Sequence, residues 1–168
     1  MKYREEKGSL FELDNNKYIF AHCISVDCEM GKGIAVEFRN RYKGIQSYCK
    51  RVVSENHLSH PCVISFYNNT NLVVFNLITK TKYYNKPTYK TIKKAIQDMA
   101  DLCKQGNIKY LAMPKIGYGL DGLQWGKVRD IIIKEFQDLD IEIVVRYLWL
   151  TSVYTKFTIS TQLQTTKY

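Results

Sequence analysis

What the chain lacks narrows its class first. Nowhere in its 168 residues does an apolar run approach the ~20 residues that a membrane span needs, so no membrane partner is expected. The opening Met1-Lys-Tyr-Arg-Glu-Glu-Lys7 lacks the apolar stretch of a secretory signal, and the expected setting is intracellular, cytoplasmic or nuclear. The five cysteines, at 23, 28, 49, 62 and 103, are odd in number and include no C-x-x-C pair. The three histidines, at 22, 57 and 60, are not spaced to complete a zinc set, which takes about four convergent ligands. Neither a metal nor a cofactor is therefore expected, and the thiols are read as reduced. No internal repeat or interdomain linker interrupts the chain, which is read as one domain able to bury its own core and to act as a monomer.

Acid is also scarce relative to base. There are 25 Lys+Arg against 16 Asp+Glu, a formal net charge of +9. Such a surface attracts nucleic acid, headgroups or phosphorylated ligands. No aromatic–basic RNA-binding signature is read beside it, although lysines cluster at 80–94. A solvated lysine-rich surface and a true polyanion interface both remain open.

What is present reads as strands and helices in alternation. Apolar patterning predicts strands over Tyr18–Cys23, Cys62–Tyr67, Leu72–Thr79, residues 109–113 and Ile141–Tyr147. The second and third would form a hairpin through Asn68-Asn-Thr-Asn71. Ile34, Ala35, Phe38 and Tyr42 share a helical face, and a short helix is expected over Ile45–Val53 with Val52 and Val53 inward. Thr88 is a credible N-cap for a long helix whose buried stripe is Ile92, Ala95, Ile96, Met99, Leu102 and Cys103, with Gly106 placed to end it. A last helix is expected over about 123–137. The alternation implies an α/β fold with a mixed sheet covered by helices on both faces. The threonine-rich segment 149–168 is read as a tail or appended segment.

Two glycine loops stand out. Gly31-Lys-Gly33 and Gly117-Tyr-Gly119 each follow a strand and are expected to open a helix. Glycines often only make turns, but backbone N–H groups at such junctions also cradle anions, and two cradles on one sheet edge would suit a diphosphate. Lys80 ends the run Leu77-Ile-Thr-Lys80. It is either an ordinary strand-end lysine or an amine nucleophile. Asp121 sits inside the second loop, as a turn-forming or capping residue or as a group with chemistry to do, since a carboxylate there repels an anionic ligand.

Taken together, Ala21-His-Cys-Ile-Ser25, Met30-Gly-Lys-Gly-Ile-Ala35, Leu77-Ile-Thr-Lys80, Lys86-Pro-Thr88 and Gly117-Tyr-Gly-Leu-Asp-Gly-Leu-Gln-Trp125 resemble a macrodomain. The likeness is to the branch of terminal ADP-ribose protein glycohydrolases and O-acetyl-ADP-ribose deacetylases, whose close relatives are antitoxin-type DNA ADP-ribosyl glycohydrolases. It implies a macrodomain-like three-layer α/β/α sandwich over residues 1–148 that binds ADP-ribose at the strand ends. By resemblance, Met30, Gly31, Lys32, Gly33, Ile34 and Ala35 would form one phosphate loop. Ile116, Gly117, Tyr118, Gly119 and Leu120 would form the other, with Pro114 also at the ligand. His22, Ser25 and Thr79 would complete the ligand site, with Ser9, Leu10 and Phe11 towards the adenine. Lys80 would attack the anomeric carbon of the distal ribose, and Asp121 would help resolve the adduct. The substrates implied are ADP-ribosylated protein, O-acyl-ADP-ribose or ADP-ribosylated DNA; a non-catalytic ADP-ribose reader is the alternative. One departure stands out: the family commonly has Gly-Asp-Leu-Phe where this chain has Gly8-Ser-Leu-Phe11, so the acid that receives the adenine amino group is replaced by Ser9.

Overall fold

The computed structural model describes residues 1–59 and 61–148; the expected tail at 149–168 and His60 lie outside the described residues. In chain order the elements are β1 (Lys2–Lys7), β2 (Ile19–Ser25), α1 (Ile34–Arg41), α2 (Ile45–Glu55), β3 (Cys62–Asn68), β4 (Asn71–Lys80), α3 (Tyr89–Gln105), β5 (Tyr110–Pro114), α4 (Trp125–Phe136) and β6 (Glu142–Tyr147). They build one six-stranded sheet in the order β1-β6-β5-β2-β4-β3. Only the β3–β4 hairpin pairs antiparallel, and every other ladder is parallel.

Interior parallel strands are buried on both faces, so successive residues feed two different cores. In β6, Ile143 and Val145 pack with Ile96, Met99, Val128, Ile132 and Phe136 from α3 and α4. Val144 between them packs with Phe38, Ile45 and Cys49 from α1 and α2. β4 divides Leu77 from Ile78 in the same way. The result is the expected α/β/α sandwich, with helices on both faces of a mixed sheet. Because β2, β4 and β5 run in parallel at its centre, their carboxyl ends share one edge, where open α/β sheets bind ligands.

Local chemistry fixes the joints. The Thr88 hydroxyl accepts from the Thr91 amide at 3.1 Å while Thr91 Oγ1 accepts from the Thr88 amide at 3.0 Å, a reciprocal cap that starts α3. Gly106 is the C-cap of α3 but keeps φ −83°; the left-handed residue is Asn107, φ 50°. The hairpin is tighter than expected, because β3 runs through Asn68 and β4 starts at Asn71. In α2 the fully buried residues are Ile45 and Cys49, whereas Val52 and Val53 are half-buried.

One strand escaped the sequence reading. β1, Lys-Tyr-Arg-Glu-Glu-Lys, carries no apolar alternation to mark it. It adds to the sheet edge by pairing with β6 from Lys2↔Glu142 to Lys7↔Tyr147. Cross-strand ion pairs fasten it, Arg4 to Glu142 at 2.7 Å and Arg146 to Glu6 at 2.9 Å. A charged edge strand of this kind also resists pairing with other chains.

Candidate active site

The site is assembled at the carboxyl ends of β2, β4 and β5. At the end of the β2–β4 ladder the register shifts: Ile24 pairs with Ile78, but Ser25 pairs with Lys80, skipping Thr79. Such an irregularity re-aims the last side chain of a strand. Here it delivers Lys80 to the mouth of a cleft of about 700 Å³.

One wall is the loop after β2. Ser25 donates from its hydroxyl to Asp27. The Gln46 amide of α2 donates to the carbonyls of Cys28 and Glu29 at 2.9 and 2.8 Å. Cys28 and Met30 are held at φ 51° and 45°, a backbone conformation that side-chain-bearing residues rarely adopt. The loop ends at Gly33, φ 59°, the N-cap of α1, which offers no side chain to the first-turn amides. The Val36 amide closes on the Gly33 carbonyl at 3.2 Å, which leaves the Ile34 and Ala35 amides and the helix dipole available to an anion in the cleft.

The other wall is the loop after β5. Gly117 has φ 72°, and a Cβ there would come within 2.5 Å of Ile92 Cδ1, so any other residue strains the backbone and displaces Ile92. Leu123 N–H closes the loop on the Gly117 carbonyl at 2.9 Å. The expectation that Gly117-Tyr-Gly119 opens directly onto a helix is corrected. A 3-10 turn, Gly119–Asp121, intervenes, and α4 begins only at Trp125. That turn carries Asp121 across the cleft to Lys80, with Nζ 2.7 Å from Oδ1 and side chains 16% and 14% exposed.

Of the residues expected in the site, the cleft is lined by Ser25, all of 30–35, Lys80, Pro114, Ile116–Tyr118, Leu120 and Asp121. Six lie elsewhere or do not line it. Ser9 caps a 3-10 turn at Leu10–Glu12, its hydroxyl accepting from the Phe11 amide at 3.2 Å. Leu10 is buried in the core. Phe11 packs edge-on against Phe20 and Phe38, with the Arg41 guanidinium 4.3 Å from its ring centre. Thr79 is fully buried, and Gly119 is not part of the lining.

His22 is the sixth. It is fully buried and stacks flat on Phe38, ring centres 3.9 Å apart. Asn76 Nδ2 donates to the Ile64 carbonyl at 3.1 Å, so Asn76 Oδ1 accepts from His22 Nε2 at 2.8 Å. Burial pushes the His22 pKa down to about 4. The ring is a neutral core residue and is not part of the cleft lining.

The sequence reading missed Cys23, Ile24, Glu29, Tyr83, Tyr84, Asn85, Lys86 and Lys115, all of which line the cleft. Cys23 lies next to the Lys80–Asp121 pair. Burial first, then the Asp121 charge, pushes its thiol up to about 12, so it is protonated at neutral pH and not a nucleophile. Residues 81–87 form a strap along the cleft. The Tyr83 amide donates to Asp27 Oδ2 at 3.1 Å, the Lys82 amide donates to Asn85 Oδ1 at 2.9 Å, and Lys86 donates to the Leu120 carbonyl. The available signal is the interleaving of tyrosine and lysine in 80–94, which composition alone shows only as a lysine cluster.

The arrangement pairs an amine with a carboxylate between two amide-bearing loops. It suits a substrate with an anionic diphosphate and an electrophilic carbon a short distance away. Among the described residues no group of three or more His, Cys, Asp and Glu is placed to hold a metal, and no helix is long and apolar enough to cross a membrane.

Comparison with known proteins agrees with this geometry. The model of the Macro domain matches residues 22–132. The human protein named ADP-ribose glycohydrolase OARD1 is 35% identical over 139 residues, covering 83% of this chain and 87% of that protein. The DNA ADP-ribosyl glycohydrolase of Mycobacterium tuberculosis is 28% identical over 153 residues, covering 82% of this chain but 40% of that protein. Among solved structures, the macrodomain of Mycobacterium tuberculosis DarG superposes with a TM-score of 0.74 at 22% identity, covering 86% of this chain and 96% of that one; at that identity the likeness speaks to the fold.

Proposed function

This chain belongs to the macrodomain family, and from that premise we propose that it is an ADP-ribosyl hydrolase working through a lysine–ADP-ribose intermediate. The substrates are ADP-ribose attached to acidic side chains, to acyl groups or to DNA. The observation that carries the reading is the Lys80–Asp121 pair, 2.7 Å apart at the strand-end cleft. The relatives whose names report ADP-ribose glycohydrolase and DNA ADP-ribosyl glycohydrolase activity support it. A reader that only held ADP-ribose would need neither a nucleophilic amine nor an acid beside it.

The proposed course uses each part of the cleft. The amides at the start of α1 and those of residues 116–120 hold the diphosphate and fix the distal ribose. The Lys80 amine sheds its proton, for which the Asp121 carboxylate is the nearest acceptor, and bonds to the anomeric carbon. The bond from that carbon to the acyl oxygen or base nitrogen breaks, and the leaving group takes up a proton. Water then cleaves the carbon–nitrogen bond with Asp121 as general base, returning Lys80 and free ADP-ribose. Five free cysteines suit a reducing compartment, and the enzyme is taken to act there as a monomer.

The test is release of ADP-ribose from glutamate-linked ADP-ribosylated protein by the wild type, Lys80→Ala and Asp121→Ala. Both variants should lose about a hundredfold or more of the rate while still binding ADP-ribose in calorimetry. Equal release by all three would remove the mechanism. Tight binding without wild-type turnover would restore the reader. A panel of ester-, acyl- and base-linked substrates then identifies the linkage.

A further inference from the structure

The strap at 81–87 supplies something that the hydrolase chemistry leaves unused. Seven large apolar side chains are exposed among the described residues, and four of them, Tyr83, Tyr84, Tyr118 and Leu120, line this one cleft. Tyr83 and Tyr84 are 53% and 68% exposed and lie three and four positions beyond Lys80. Their rings meet edge to face, centres 5.2 Å apart and planes at 84°. In that geometry one ring braces the other and leaves ring surface open to solvent. The backbone beneath is already ordered by the Tyr83–Asp27, Lys82–Asn85 and Lys86–Leu120 hydrogen bonds, so little ordering remains to be done when a ligand docks.

Charge around the rings leans positive. The two acids that line the cleft are each paired with a lysine, Glu29 with Lys50 at 3.2 Å and Asp121 with Lys80, while Asp27 behind the strap accepts from the Ser25 hydroxyl and the Tyr83 amide. Lys32 lines the cleft, and Lys82 stands on the strap; neither has an acid partner among the described residues. Exposed aromatic faces set among unneutralised lysines are how proteins hold single-stranded nucleic acid: bases stack on the rings and phosphates meet the cations. A protein partner would instead want a broader apolar patch with satisfied polar groups around it.

We propose that Tyr83 and Tyr84 form a stacking platform for a nucleobase of a single-stranded nucleic acid, positioning the strand to which ADP-ribose is attached and biasing the enzyme towards base-linked over side-chain-linked ADP-ribose. This rests on the hydrolase reading for its consequence, although the platform itself can be tested without turnover. Both tyrosines act as specificity-determining residues; the bond-breaking groups remain Lys80 and Asp121.

Two measurements on the full chain decide it. The first is fluorescence anisotropy with a short, labelled, unmodified single-stranded oligonucleotide of mixed sequence. The Tyr83→Ala/Tyr84→Ala variant should bind about tenfold more weakly than wild type, as expected for losing base–aromatic stacking, whereas Tyr83→Phe/Tyr84→Phe should keep wild-type affinity. The second is the ratio of kcat/KM on a base-linked ADP-ribosyl oligonucleotide to that on a glutamate-linked ADP-ribosyl peptide, which should fall by a similar factor in the alanine variant and recover in the phenylalanine variant. Unchanged oligonucleotide affinity in the alanine variant overturns the platform. An equal loss on both substrates also overturns it, because the rings would then serve the ADP-ribose moiety; a loss confined to the peptide would assign them to a protein substrate instead. A wild type that binds the oligonucleotide through these rings but hydrolyses neither substrate supports the platform and removes the hydrolase reading.

Discussion

The β2–β4 ladder carries two polar pairs only a few residues apart, and they do opposite things. His22 faces Asn76 in register in the body of the sheet, sealed and stacked on Phe38. Lys80, four residues beyond Asn76, emerges past a register shift at the strand end and meets Asp121 from another loop. The first pair is neutral, and its hydrogen bond offsets part of the cost of burying an imidazole whose Nδ1 has no partner among the described residues. The second is charged and keeps partial access to solvent, so it can exchange protons with a substrate. Position along one ladder, more than residue type, separates a structural pair from a chemical one.

That contrast is sharpest when each pair is broken. Lys80→Ala and Asp121→Ala should cost about 3 kcal/mol or more in the catalytic barrier with little change in thermal stability, measured by turnover beside a melting curve. A large loss of stability in either would recast the mouth pair as structural.

His22 should show the reverse signature. Its folded pKa is depressed to about 4 from the ordinary 6.5, so the unfolded chain takes up a proton first as pH falls. The associated stabilisation is complete above pH 6.5 and is lost as pH drops towards 4; it amounts to about 3 kcal/mol. Denaturant unfolding at pH 7 and at pH 4.5 should show this loss in the wild type and a smaller one in His22→Gln. Parallel losses in the two proteins would remove His22 as the buried titrating group.

Between these extremes lies the second glycine loop, which belongs to both core and cleft. Gly117→Ala puts a Cβ against the fully buried Ile92 at a positive φ. It should cost about 1–3 kcal/mol of stability and also weaken ADP-ribose binding in calorimetry; retained stability with retained affinity would show that the loop tolerates another conformation. The smallest effect belongs to Thr88→Ala, outside the cleft lining, which should cost about 1 kcal/mol through the lost α3 cap and leave turnover alone.

The sequence showed best those features that obey local rules. Glycine loops after apolar strands, the Thr88 cap and the β3–β4 hairpin are set by backbone preference and periodicity, so they read directly. From the residues alone Lys80 and Asp121 can only be suspected separately, and it is the family resemblance that pairs them; their meeting depends on a register shift in one strand and a 3-10 turn in a distant loop, neither of which has a local signal. β1 was invisible because long-range pairing and ion pairs hold it rather than its own hydrophobic pattern. The resemblance places His22 at the ligand, whereas its ring is buried against Phe38 and Asn76, which strand alternation alone does not reveal. Ser9 stands where the family has its adenine-binding acid, and its hydroxyl caps the turn that follows, a local role the family motif does not announce.

The most direct test of the central claim is to trap the intermediate on the wild-type protein. An amine-linked ribose opens reversibly to an imine, which cyanoborohydride reduces to a permanent amine. Incubation with ADP-ribosylated substrate and this reductant, followed by peptide mapping by mass spectrometry, should place one ADP-ribose on Lys80, with no such mark in Lys80→Ala. Sustained turnover with Lys80 unmodified, or a mark concentrated on another residue, would contradict the account.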